Sequence, residues 1–168
     1  MVQTVADIFC GAGGFSEGFR HQGYRISFAV DIWRPATQTF KLNHPDCEVW
    51  RADVRVIDPS TLPRVDVVVG SPPCVEFSYA KGASRRNPLA GLTLVRRFFD
   101  IVETLKPRAW VMENVPALQS YVHALTPPTG AKWTEVDQRV LNSADFGVPQ
   151  RRFRFFAGQY IEPRPSHR

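Results

Sequence analysis

Short apolar, β-rich runs alternate with stretches of helical spacing along most of this chain, and that alternation limits its fold more than any other feature. Residues 4–9 (TVADIF) read as a buried strand that runs into GAGG at 11–14, then a helical stretch over 16–22 that Gly23 stops. A second strand over 24–30 ends at Asp31, and 35–43 has helical spacing. A third strand over 49–54 ends near Asp53, and a fourth spans 65–69. Residues 92–105 form an amphipathic helix with Phe98, Phe99 and Val102 on one face. A fifth strand over 109–112 ends at Glu113 and Asn114, and 133–136 and 152–157 read as later strands. Strands alternating with helices predict βα units, hence an α/β fold with a mostly parallel sheet flanked by helices. Residues 126–132 read as a Pro/Gly loop.

In such a sheet, ligands sit at the carboxyl ends of the strands. The unusual residues fall there one after another: the glycines 11–14, Asp31, Asp53, Cys74 and Glu113. The glycine turn lets the backbone pass close to a ligand beside exposed helix amides, although its spacing is not the full G-x-G-x-x-G fingerprint. Asp31 is placed to accept hydrogen bonds from two ribose hydroxyls, and Asp53 to accept from an adenine amino group. Together they point to an adenosine-containing cofactor. Plainer alternatives stand beside this: either aspartate could serve only as a turn or cap residue.

Cys74 follows the apolar strand in GSPPCVEFS, where two prolines stiffen the approach to one thiol. A buried cysteine is commonly inert, but here the strand has ended and the backbone is fixed. Glu113 supplies a carboxyl group able to act as an acid or a hydrogen-bond anchor. His21, His44, His123 and His167 sit in segments without a motif and read as surface residues, which argues against a papain-like pairing. The three cysteines, at unrelated spacings, form neither a disulfide framework nor a metal site. With no leader pattern and no apolar run near the roughly 20 residues of a membrane span, the expected setting is cytoplasmic. The net charge is +5, and arginine dominates the bases, clustering at 85–86, 96–97 and 151–154. Guanidinium forks suit phosphates and base edges, so a nucleic-acid partner is expected.

The ordered motifs resemble the cytosine-C5 DNA methyltransferase family. DIFCGAGGFSEGF resembles its cofactor loop, AVDIWRPATQTF with NHP its second motif, and ADV its third. GSPPCVEFS resembles the Pro-Cys catalytic loop, KPRAWVMENVPAL the Glu-Asn-Val motif, and LNSADFGVPQRRFRFF the Gln-x-Arg-x-Arg motif. The matches follow the family's order over residues 5–157. The resemblance implies a Rossmann-like S-adenosylmethionine-dependent methyltransferase fold, truncated at its C-terminus. It implies attack of the Cys74 thiolate on C6 of a flipped cytosine, with Glu113 at N3 and the exocyclic amine. Arg152 and Arg154 would line the base pocket, while Ser78 and residues 81–86 would touch phosphate. S-adenosylmethionine would lie against Phe9, Gly11, Gly13, Phe15, Asp31, Ile32, Asp53 and Leu94, with Pro73 shaping the adjoining loop; Leu94 could instead be plain helix core.

Two departures stand out. Val75 replaces the family's usual glutamine after the cysteine, and the chain stops soon after QRRFRFF. The family continues with a target-recognition domain and two further motifs. The expected organisation is therefore a catalytic domain over 1–161 and a loosely ordered tail over 162–168, with no target-recognition domain. The chain is then a fragment, one half of a split enzyme whose second chain carries the missing parts, or a truncated gene product. Three functions follow: a DNA methyltransferase needing that complement, a non-catalytic remnant that holds cofactor or DNA, and a tRNA methyltransferase.

Overall fold

The computed structural model describes residues 2–73 and 88–165. Seven strands form one sheet in the order β3-β2-β1-β4-β5-β7-β6. They are β1 (Thr4–Ile8), β2 (Arg25–Asp31), β3 (Glu48–Arg51), β4 (Val67–Gly70), β5 (Ala109–Asn114), β6 (Asp137–Asn142) and β7 (Phe153–Gly158). β1 to β5 are mutually parallel, and β7 runs antiparallel to both β5 and β6. The order reverses between β1 and β4, which makes the carboxyl ends of those strands the natural crevice. Helices α1 (Gly14–His21), α2 (Arg34–Asn43) and α3 (Pro88–Leu105) connect the parallel strands.

Alternation along each strand sends side chains to two cores. Val5, Ile26, Val67 and Val69 meet Phe40 of α2 on one face, with Phe15, Phe19 and Tyr24 packed alongside. Ile8, Phe28, Val68, Trp110, Met112 and Phe155 meet α3 on the other. The predicted apolar face of α3 is the buried one: Phe98, Phe99 and Val102 lie in this second core, and both phenylalanine rings pack edge-on to Trp110. Gly70 ends β4 because nothing larger fits, since a Cβ there would meet the Ile8 carbonyl at 2.6 Å and the Phe98 ring.

Two predicted elements differ. The third strand stops at Arg51, so Asp53 stands in the turn beyond it, where its carboxylate accepts from the Arg55 amide. Residues 133–136 are not a strand. Trp133–Glu135 is a single 3-10 turn closed by reciprocal bonds between Lys132 and Glu135, and Trp133 turns its ring toward Phe99. The strand there is β6, which begins at Asp137. Within the predicted 126–132 loop, Pro128–Gly130 makes a short 3-10 turn. Residues 161–165 carry no regular structure, and the last three residues of the expected tail lie outside the described ones. No helix among the described residues is long and apolar enough to cross a membrane.

Candidate functional site

β1 ends in a backbone that turns sharply at the rim. Phe9 takes a left-handed φ of 62°, followed by Gly11 at 54° and Gly13 at 96°. A bulky residue at positive φ costs free energy and persists only where its surroundings hold it. Here the Cys10 amide donates to the Val30 carbonyl, and the Gly11 amide donates to Asp31 Oδ2 at 2.9 Å. Asp31 Oδ1 accepts from the Trp33 amide at 2.8 Å. One carboxylate thus ties the glycine turn to the end of β2, and each of its oxygens keeps accepting capacity. Ile32 beside it is 59% exposed and Trp33 66%, so two large apolar side chains stand open at this rim.

Gly13 is required by space as well as by φ. A Cβ there would lie 2.7 Å from His44 Nε2 and 3.0 Å from the Phe40 ring. Gly11, in contrast, has nothing within 4 Å of where its Cβ would be. This corrects the reading of His44 as a surface residue: it is buried, its ring against Phe40 and under the glycine turn. Phe15 packs against Phe19 and Phe156 on the α1 face of the sheet.

Beneath the turn lies a carboxylate that motif reasoning passed over. Asp7 is 1% exposed and accepts from the Ser16 hydroxyl at 2.7 Å, joining β1 to the first turn of α1. Burial pushes its pKa from 3.8 up to about 7, against the lowering effect of the Ser16 bonds. Burial also drives the Cys10 thiol well above its ordinary range and Cys47 up to about 12, so neither is a ready nucleophile. Alternation alone marks Asp7 as facing α1, a signal hidden in the apolar TVADIF run.

At the next rim positions, Asp53 is held by Arg55, whose Nη2 lies 2.6 Å from Oδ2. Those hydrogen bonds keep the Asp53 carboxyl below its ordinary range. Leu94 is half-buried and outside the α3 core that takes Leu92, Val95 and Phe98.

Glu113 and Arg154 come together. Glu113 is next to last on β5, and Arg154 is near the start of antiparallel β7, so both reach the same end of the sheet. Arg154 Nε lies 2.8 Å from Glu113 Oε1, with each side chain 23% exposed. Arg152 is exposed, and its amide donates to Asn142 Oδ1. Asn114 is buried and reaches back across the sheet, its Nδ2 donating to the Pro72 carbonyl at 2.9 Å. That bond fixes the approach to Pro73, which is itself exposed. Cys74, Val75, Ser78 and the basic stretch 81–86 lie outside the described residues. Of the arginine pair at 96–97, only Arg96 is exposed to solvent, and Arg97 turns inward.

The sequence profile of the C-5 cytosine-specific DNA methylases matches residues 3–160. This chain belongs to that family. A type II methyltransferase of Thalassovita gelatinovora, M.AgeI, is 36% identical over 96% of this chain and 42% of its own length. M1.HphI of Haemophilus parahaemolyticus is also 36% identical, over 99% of this chain and 50% of its own. The chain thus spans about half the length of these relatives. M.AquIA of Picosynechococcus is 31% identical, and there the match covers 78% of the relative. The crystal structure of a prophage-encoded protein of E. coli, assigned as a DNA modification methyltransferase, superposes with a TM-score of 0.72. It shares 24% identity over 93% of this chain and 46% of the other, a likeness of fold.

Proposed function

We propose that this chain is the cofactor-binding and catalytic part of a type II DNA cytosine-C5 methyltransferase, acting through a covalent bond between Cys74 and C6 of cytosine. The observation that carries this reading is the Glu113–Arg154 pair at the rim, one residue from the Asn114 bond that steadies the Pro72 carbonyl. Cytosine C5 is a poor nucleophile. Attack of the Cys74 thiolate at C6 pushes electrons onto C5 and N3 and makes the ring an enamine. Glu113, oriented by Arg154, donates to N3 as charge develops and accepts from the exocyclic amine, favouring cytosine over thymine. Arg152 and Arg154 hold the base. Once C5 has taken the methyl group that S-adenosylmethionine would supply, loss of the C5 proton and expulsion of Cys74 restore the ring. Because C6 is shielded in a stacked duplex, the target base must be flipped out.

The rim also fits S-adenosylmethionine, which would supply the methyl group. Asp31 has capacity for two ribose hydroxyls beyond the two amides it already accepts. Ile32 offers an apolar face to the adenine, Asp53 an acceptor to its amino group, and the open space at Gly11 lets the methionine end approach the backbone. Phe9, Gly13, Phe15, Pro73 and Leu94 complete the expected lining. The relatives carry further length beyond this match, and turnover on duplex DNA is expected to use a counterpart of it, on this protein or on a second chain.

The test is methyl transfer from labelled S-adenosylmethionine to duplex DNA and to tRNA, with and without a second chain bearing the target-recognition region. Transfer to DNA is the expected result. Transfer to tRNA alone, or none to either in the presence of the complement, would contradict the reading.

A further inference from the structure

Arg97 projects from α3 toward a different part of the chain. Its Nε donates to the Val54 carbonyl at 2.9 Å, and its Nη2 donates to the carbonyl of Ile57. Its Nη1 faces Asp100, one turn on, at 3.6 Å. The side chain is only 20% exposed, and all three nitrogens of the fork have partners. Such a fork spends its donors on backbone that no strand or helix satisfies.

The backbone it grips is the connection that leaves β3 and carries Asp53. The partners of the Asp53 carboxylate are local, the amide and guanidinium of Arg55. That turn can orient the carboxylate but cannot locate it in the molecule. Location comes from the Ala52 amide on the Asp31 carbonyl, from the packing of Ala52, Val54 and Ile57 on the core, and from Arg97. Val56, between the two gripped carbonyls, is 81% exposed and anchors nothing. Leu94 sits one turn before Arg97 on the same helix. Arg97 therefore joins the element that carries Leu94 to the one that carries Asp53.

We propose that Arg97 is a positioning residue for the adenine end of the cofactor site, setting the 53–57 turn so that the Asp53 carboxylate stands where an adenine amino group can be read. The inference rests on the proposed cofactor and extends it to a residue that touches no ligand.

The test compares wild type with Arg97→Met, which keeps the stem and removes the donors, and Arg97→Lys, which keeps the charge and loses the fork. Binding of S-adenosylhomocysteine and of its 6-oxo analogue, which lacks the amino group, is measured for each. Amide hydrogen exchange over 52–58 is followed in the free chain. Wild type is expected to prefer the amino form, and Arg97→Met to lose that preference by about tenfold, as for a lost hydrogen bond to a charged group. Asp53→Ala should lose the same preference, and the double variant no more than either single one. Exchange should quicken over 53–57 and not along α3, and Arg97→Lys should fall between the two. Equal loss of affinity for both ligands, or faster exchange spread along α3, would show a merely structural role and overturn the inference alone. A wild-type chain that binds neither ligand would overturn the proposed cofactor, and the inference with it.

Discussion

The β1–β2 rim and the β5–β7 rim lie at the same end of the sheet and are built on different plans. Around β1 and β2, a carboxylate holds backbone: Asp31 receives the Gly11 and Trp33 amides, and buried Asp7 receives the Ser16 hydroxyl. Those bonds fix the path of the chain. Around β5 and β7, side chain holds side chain, Glu113 on Arg154, with both groups partly open to water. A rim made of tethered backbone is suited to present one fixed surface. A rim made of a charged pair can exchange partners when another hydrogen-bonding group arrives. The first plan suits the proposed cofactor, and the second the proposed base, on which charge would develop.

Substitutions on the two rims should therefore fail differently. The largest effect is expected at Glu113. Glu113→Gln keeps the shape but lowers the ability to move a proton, so methyl transfer should fall by roughly 10²–10⁴-fold with cofactor affinity kept. Steady-state kinetics alongside S-adenosylhomocysteine binding would check this, and equal losses in both would erase the contrast.

Asp7 comes next. Its folded-state value near 7 lies above its ordinary 3.8, so the folded chain keeps a proton that the unfolded chain releases. The stability that Asp7 contributes should be full below pH 4, fall as pH rises to about 7, and level off above that, by on the order of a few kcal/mol. Asp7→Asn should flatten this profile in urea titrations across the window, whereas parallel profiles for the two proteins would show that Asp7 ionises freely.

Gly13→Ala should cost about 1–3 kcal/mol from its left-handed backbone, with its contacts to His44 and Phe40 adding to that. Gly11→Ala, with open space, should cost less in the same denaturant titration and weaken cofactor binding more. The smallest effect belongs to Arg55. Its pair with Asp53 is solvent-exposed, so Arg55→Ala should leave Tm unchanged while the pKa of the Asp53 carboxyl rises toward its ordinary value by NMR titration.

Much of this was readable from residue order. The strand ends that carry Asp31 and Glu113 stand where the apolar runs stop, because a buried parallel strand is a continuous apolar run and its end is abrupt. What escaped was decided by tertiary neighbours. Trp133 looks like a strand residue, yet the Lys132–Glu135 bonds close a turn and its ring fills space beside Phe99. His44 looks like a surface residue, yet Gly13 leaves a hollow into which its ring fits. Arg97 looks like half of a basic patch, and only the path of residues 53–57 shows why it turns inward. Asn114 reads as part of a motif, but its bond to Pro72 spans 42 residues and has no local signature.

Covalent trapping tests whether Cys74 bonds to C6 of cytosine. Purified chain, S-adenosylmethionine and a duplex containing 5-fluorocytosine are combined, with Cys74→Ser as control, and resolved on a denaturing gel. The fluorine cannot leave C5 as a proton does, so a thiol adduct at C6 stays bound. A shifted band is expected with the wild-type chain, supplied with a second chain bearing the target-recognition region if needed, and none with Cys74→Ser. No band even with that complement, or a band that survives in Cys74→Ser, would contradict it.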